Sequence, residues 1–422
     1  MKRIIRSVGL SVALAIGPSL LGISAAAGQE LRFLAVGYSV DLLDYLNRSV
    51  VPAFEAKHGT KVTIEATDWN GRVDKILVSI AGGVPYDIVS TGYYSPYQEG
   101  SMGLLAPLDR YLDRWEYTDR FPAPVWQALR WRGHTYVVPQ NHDLRGIAYN
   151  RALFSEAGLD PDHPPQSWEE LIRATRRLTR LEGDRVAVRG FNLSRSESGS
   201  AQQFFWFMRQ AGITEIDVDA FTSHLNRPEA LAALQTMADI AEAARFREPA
   251  IGGGFTQGRV AMEHHSPATR ARVLEENPDL IDDYGLFAPR RSPDSPPVAH
   301  GFINGLAILA ASRQKDLAWE FIASLYEEET LFEIQRISGF LAGRVDMARR
   351  MTAISPRIEL FYQLFAYLQP PVIPPPRNIA QQEIGKLIQR VYRGEIPPEQ
   401  ALAEGHALWT RLLAEWRADI EG

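Results

Sequence analysis

Along the first hundred residues the apolar positions switch between two periods. Leu31 to Val36 is a nearly continuous apolar run. Leu42, Leu43, Leu46, Val50 and Phe54 then repeat at helical spacing up to Gly59, and Lys61 to Ala66 returns to a strand pattern. Val73, Ile76, Leu77 and Ile80 form the next helical stripe, closed by Gly82-Gly83, and Asp87-Ile88-Val89 is a short strand after Pro85. Strands alternating with helices predict an α/β protein, a mainly parallel sheet with helices on its faces. Ligands of such sheets sit in the loops after the carboxyl ends of strands. That rule nominates Tyr38 and Ser39, then Asp68, Trp69 and Asn70.

The stretch from Gly133 to Thr179 organises the rest. A short strand, Thr135 to Val138, ends at Pro139, and a second, Gly146 to Tyr149, leads into a helix. Between them Gln140 to Arg145 carries Asn141, His142, Asp143 and Arg145 side by side, a hydrogen-bonding run suited to a hinge beside a ligand cleft. After Pro164-Pro165, Ser167 and Glu170 form a capping box, and Leu171, Ile172, Thr175 and Leu178 follow at helical spacing. Further on, Phe191-Asn192-Leu193 ends a strand and Phe204 to Met208 starts an apolar helix. Arg290 to Pro297 is a Pro-rich crossing, Leu306 to Ala310 a strand, and Gly339 to Arg344 a third crossing. Pro370 to Pro376 predicts a stiff extended segment before two final helices.

Length changes the picture first: 422 residues exceed what one core usually holds, so two domains are expected. A net charge of −6 without a basic tract argues against nucleic acid as a partner. Lys2, Arg3 and Arg6, the uncharged run Ser7 to Leu21 and the small residues Ala25-Ala26-Ala27 have the order of a cleavable secretory signal, residues 1–27. The apolar run falls short of the ~20 residues of a spanning helix. The absence of cysteine excludes lipid attachment through a thiol, disulfides and thiol chemistry, and suits an oxidising periplasm.

Gly133, Tyr136, Pro139, the Tyr149-Asn150 pair, Pro165, Ser167, Trp168 and Glu170 stand in fixed order. This order closely resembles the extracellular solute-binding proteins of bacterial ABC importers, the maltose-binding-protein-like family. Phe255 to Met262 matches that family's F-x-x-G-x-x-A-M signature. The resemblance runs over nearly all of residues 30 to 413. It implies a two-lobe periplasmic-binding-protein fold of the type II arrangement, each lobe a mainly parallel sheet flanked by helices. The implied segments are 28–141 and 289–338 for one lobe, 142–288 and 339–422 for the other. It implies a monomer that binds a sugar or oligosaccharide by hinge closure, delivers it to an inner-membrane permease, and does no catalysis. It nominates Tyr93 and Tyr94 on the loop after the third strand, Asp143 as a sugar-binding acid, Trp206 as a stacking face, His264 and His265, Asn304, and Arg344 at the third crossing.

Beside each stands a plainer reading. Tyr93 and Tyr94 could be half-buried packing, Asp143 could only stiffen the hinge with Arg145 or His142, and the two histidines could be ordinary polar residues. His264-His265 lacks a third ligand at metal-binding spacing, so no metal or cofactor is expected. No nucleophile elbow, phosphate loop or zinc-protease helix is present, and Gly252-Gly253-Gly254 has no lysine of a phosphate loop. Asp68, Asp87 and Asp143 leave a glycoside hydrolase open as a rival. Within the same fold, glycerol phosphate, a polyamine, ferric ion or an acidic sugar are the alternative ligands.

Overall fold

The computed structural model describes residues 30–69, 71–369 and 376–421. The expected signal segment, Asn70 and most of the Pro370 to Pro376 segment lie outside the described residues.

Eight strands form one curled sheet: β1 (Glu30–Val36), β2 (Lys61–Thr67), β3 (Ile88–Gly92), β4 (Val138–Asn150), β5 (Met262–His265), β6 (Tyr284–Phe287), β7 (His300–Ile308) and β8 (Leu341–Ala342). β1 lies between β2 and β3, parallel to both, with Leu31 opposite Val62 and Phe33 opposite Ile88. Beyond β3 the sheet turns antiparallel through β7 to β4. The far half of β4 pairs antiparallel with β5 on one edge and β6 on the other. Parallel pairing in that half is carried by bridges such as Arg189 with Val260 and Asn192 with Glu263.

The polar run expected between two strands is instead the middle of one 13-residue strand, β4. Its backbone is satisfied by β7, and β8 adds pairs to His142 and Asn141, so polar side chains can be buried here without orphaning main-chain groups. The pairing slips once: Asn304 faces Asn141 but Gly305 faces Pro139, which leaves Gln140 as a bulge residue. The Gln140 carbonyl accepts from Gly343 N–H at 3.2 Å and from Gln335 Nε2 at 3.0 Å. A Cβ at Gly305 would stand 2.1 Å from the Val138 carbonyl, so only glycine fits at this slip.

Separate apolar clusters stand on the two halves of the sheet. On one, Leu31, Phe33, Phe54 and Leu306 pack with Phe321 and Ile322. On the other, Trp168, Leu171, Phe204, Phe207, Ile388 and Trp409 share a core. The Ser167 cap is formed as expected, its hydroxyl accepting from Glu170 N–H at 3.1 Å. The Glu170 carboxylate reaches back one residue further than a standard capping box, to Gln166 N–H at 2.7 Å.

His142 is fully buried, edge-on to Phe365 with ring centroids 4.9 Å apart. Burial, partly offset by the Gly343 backbone, holds its pKa down at about 4. The unfolded chain titrates near ~6.5 and therefore binds more protons between these values. Stability contributed by the neutral ring is whole above about 6.5 and is lost as pH falls toward 4, at most about 3 kcal/mol. Urea unfolding followed from pH 7 to 4 should show a shallower loss in His142→Phe than in the parent. Equal slopes would mean the ring is already solvated.

Candidate functional site

A cavity of about 620 Å³ opens between the two halves, where β1, β3, β4 and β7 present their ends and side chains. That is within the range of about 300–1,000 Å³ usual for small-molecule sites.

One wall is aromatic. Gly37 has φ 70°, and a Cβ there would meet Trp69 Nε1 at 2.7 Å, so glycine lets the indole lie against the loop after β1. Trp69 is 40% exposed and packs edge-on to Tyr94, centroids 6.4 Å apart. Phe302 and Phe340 add to the aromatic lining, and Phe302 stands beside Asp143 across the β4–β7 pair. Burial pushes the Tyr94 hydroxyl up to about 12 and raises Tyr38 as well, so both phenols remain neutral donors. Tyr38 donates to Gln140 Oε1 at 2.9 Å.

A second stretch of the lining is the polar face of β4. Strand alternation turns Asn141, Asp143 and Arg145 to the cavity and His142 and Leu144 away, while the bulge brings Gln140 onto the cavity side too. Asn304 Nδ2 donates to Asn141 Oδ1 at 3.0 Å across the β4–β7 pair. Arg145 Nε donates to Asp143 Oδ2 at 3.1 Å, Nη2 makes a second bond to the same oxygen, and Nη1 reaches Gln202 Oε1 at 3.4 Å. The guanidinium also lies 4.8 Å from the centre of the Phe302 ring. Asp143 is 7% exposed, and its Oδ1 is buried without a hydrogen-bond partner among the described residues. At the floor the buried Arg72 pairs with Glu99 and donates to Thr91 Oγ1 at 2.9 Å.

The cavity thus brings together Tyr38, Ser39, Trp69, Tyr94, Asn141, Asp143, Arg145 and Asn304 of the nominated residues. The others are placed elsewhere. Asp68 accepts Gly71 N–H at 2.7 Å and shapes the turn into the helix Arg72–Ala81. Tyr93 is core, packed with Val125, Leu129 and Tyr136. His142 is on the buried face of β4. Trp206 is 1% exposed and donates to the Val298 carbonyl at 2.8 Å, with His264 packed on it at 4.5 Å. His265 is held by Tyr284 and Glu263 at 3.1 and 3.3 Å. Arg344 donates to the Tyr326 carbonyl at 2.6 Å, pairs with Asp346 and lies under the Tyr117 ring.

Sequence reasoning missed Arg72, Gln98, Gln140, Ser198, Gln202, Phe302 and Gln381 on the wall. Phe302 was within reach, since it stands two residues before Asn304 on one strand and shares its face. Gln140 depends on a bulge, and Gln381 comes from a helix remote in sequence.

A cleft between two apolar halves that share long strands defines a two-lobed ligand receptor. The chain belongs to the bacterial extracellular solute-binding proteins, whose family profile matches residues 39–330. It is 26% identical over 405 residues to a binding protein of Brucella abortus strain 2308, covering 93% of this chain and 95% of that one. A segment of 46 residues, 11% of this chain and 10% of the relative, is 41% identical to the sn-glycerol-3-phosphate-binding periplasmic protein of Yersinia enterocolitica. Among solved structures it resembles a Thermotoga lettingae ABC transporter solute-binding protein bound with alpha-D-tagatose, at TM-score 0.77 and 23% identity, covering 92% of this chain and 100% of that one. The sugar-binding protein MalE of Xanthomonas citri is similar at TM-score 0.77 and 20% identity, covering 93% and 99%.

Proposed function

We propose that this chain is the periplasmic receptor of a sugar importer, which captures a sugar or short oligosaccharide in the cleft and delivers it to an inner-membrane permease. The observation that carries the reading is that one cavity is lined both by aromatic side chains, Trp69, Tyr94 and Phe302, and by a row of amide, carboxylate and guanidinium groups on β4. A sugar ring offers C–H faces to the first and hydroxyls to the second. Rigid aromatics supply contact area at little entropic cost, and charged acceptors supply the stronger hydrogen bonds. Neighbours in fold are described with alpha-D-tagatose, cycloalternan and mannotriose bound, which supports a carbohydrate as the ligand class. Export through the leader expected at residues 1–27 belongs to the same reading.

Charge separates this reading from its rivals. Arg145 is neutralised by Asp143 and Arg72 by Glu99, so among the described residues the lining offers an anion no uncommitted guanidinium and a polyamine no uncommitted carboxylate. A thermal-shift panel of mono- and oligosaccharides, glycerol phosphate and spermidine should raise the melting temperature with a neutral sugar. Stabilisation by glycerol phosphate or spermidine alone would sink the proposal, and turnover of a glycoside would favour the hydrolase reading. The stabilising sugar should also lower the radius of gyration in small-angle scattering, because the lobes close on it. An unchanged radius would count against closure.

A further inference from the structure

A second cavity, of about 360 Å³, lies in the half of the molecule carrying Trp168 and Phe204, and it shares no lining residue with the cleft. Two parallel bridges frame it: Val186 pairs with Ala250, and Arg189 with Val260. The Gly252-Gly253-Gly254 triplet follows two residues after Ala250 and lines the cavity. The sequence gives this triplet no role in sugar binding.

Four arginines line the cavity: Arg189, Arg195, Arg247 and Arg259. Among the described residues none of them has a carboxylate within ion-pair distance. The carboxylate on the wall, Glu248, is 3.6 Å from Arg245 instead. Arg189 is 5% exposed and is fixed by donating to the carbonyls of Ala244, Arg245 and Glu248. Arg195 donates to the Phe246 carbonyl at 2.8 Å and lies over the Phe246 ring. Arg247 and Arg259 are exposed, with Arg247 laid across the Gly394 turn.

The backbone is shaped for close approach. Gly252 and Gly253 have φ 120° and 81°, conformations that side chains rarely adopt. A Cβ at Gly253 would meet Arg259 Cγ at 2.9 Å, so this glycine lets Arg259 close against the loop. The four arginines outnumber the one carboxylate of the lining, and burial, then Arg195, pull the pKa of Arg189 down, partly offset by Glu248. An oxyanion offsets that excess of positive charge, and a guanidinium fork matches phosphate oxygens two at a time.

We propose that this cavity binds a phosphate group, held by Arg195, Arg247 and Arg259 above the buried Arg189. The same chemistry is offered by free phosphate and by a phospholipid headgroup. The site stands apart from the sugar cleft, so it does not depend on the sugar reading.

The full chain would be titrated with inorganic phosphate and pyrophosphate by calorimetry at low salt, and with phosphatidylglycerol vesicles by co-sedimentation. Saturable binding of free phosphate or pyrophosphate is expected, weakened at least about tenfold in Arg247→Gln/Arg259→Gln. The control Arg173→Gln, on an exposed helix face away from the cavity, should leave it unchanged. Vesicle binding that is lost in the double variant without free-phosphate binding assigns the same site to a headgroup. Absence of saturable binding to either probe, or an equal loss in Arg173→Gln, overturns the proposal. Melting curves of the variants verify that both remain folded. Should the double variant unfold, Arg195→Gln alone tests the same contact.

Discussion

Asp143→Ala should weaken sugar binding by about ten- to a hundredfold and leave the fold intact. A hydrogen bond to a charged group is worth about 1.5–3 kcal/mol, and ~1.4 kcal/mol is tenfold in affinity. Two structural facts bear on the size. Asp143 Oδ2 is already committed to Arg145, while Oδ1 is buried on the cavity wall without a partner among the described residues. An unsatisfied buried carboxylate oxygen is costly, and a ligand hydroxyl donating to it would relieve that cost on closure. Removing the side chain also frees Arg145, which the carboxylate holds over the Phe302 ring. Asp143→Asn separates the two effects: it keeps an acceptor oxygen but gives up the charge that fixes Arg145. The variants would be compared by calorimetry with whichever sugar stabilises the parent. Unchanged affinity in Asp143→Ala with a lowered melting temperature would reduce Asp143 to a partner of Arg145, and the ligand contacts would then have to centre on Trp69, Tyr94 and Asn304.

How far the site was legible follows from the kind of signal each residue gives. Tyr38, Ser39 and Trp69 lie in loops after strands of a parallel unit, and that placement is a rule of sheet geometry. Asn141, Asp143 and Arg145 were legible as a polar run, but their separation from His142 was not. Reading the run as a loop erases the two-residue alternation that one continuous strand imposes, and this alternation sends His142 into the core. Trp206, His264 and His265 were placed by resemblance to relatives. In this chain Trp206 packs on His264, and His265 is bonded to Tyr284 and Glu263. Such packing depends on residues dozens of positions away. The parallel unit β1–β3 and the capped helix Trp168–Leu178 were visible because local periodicity and caps determine them. The antiparallel joining of β7 to both β3 and β4 was not, since long-range pairing leaves no local trace.

Arg72→Leu should cost about 3–5 kcal/mol of unfolding free energy, the largest single loss anticipated in the cleft. Both members of the Arg72–Glu99 pair have side chains 2% exposed, so deleting the cation leaves a carboxylate buried without its counter-charge. Glu99 is held away from water in the short helical segment Pro96–Gly100, whose Gly100 packs against Tyr136. Thr91 Oγ1, which accepts from Arg72 and bonds to Ser95, would lose a donor in the same step. Against a total stability of about 5–15 kcal/mol, a loss of this size is a large share and is readily resolved in urea unfolding. The double replacement Arg72→Met/Glu99→Leu removes both charges and should recover most of the deficit, since apolar residues of similar volume often substitute for a buried pair at little cost. Urea unfolding of the two variants decides the matter. A loss below about 1 kcal/mol in Arg72→Leu would show that water reaches Glu99, and failure of the double variant to recover would assign the stabilisation to Thr91 and Tyr94 rather than to the pair. Because Arg72 also lies 5.3 Å from the centre of the Tyr94 ring, the double variant should still bind sugar more weakly than the parent, its aromatic platform no longer backed by a charge.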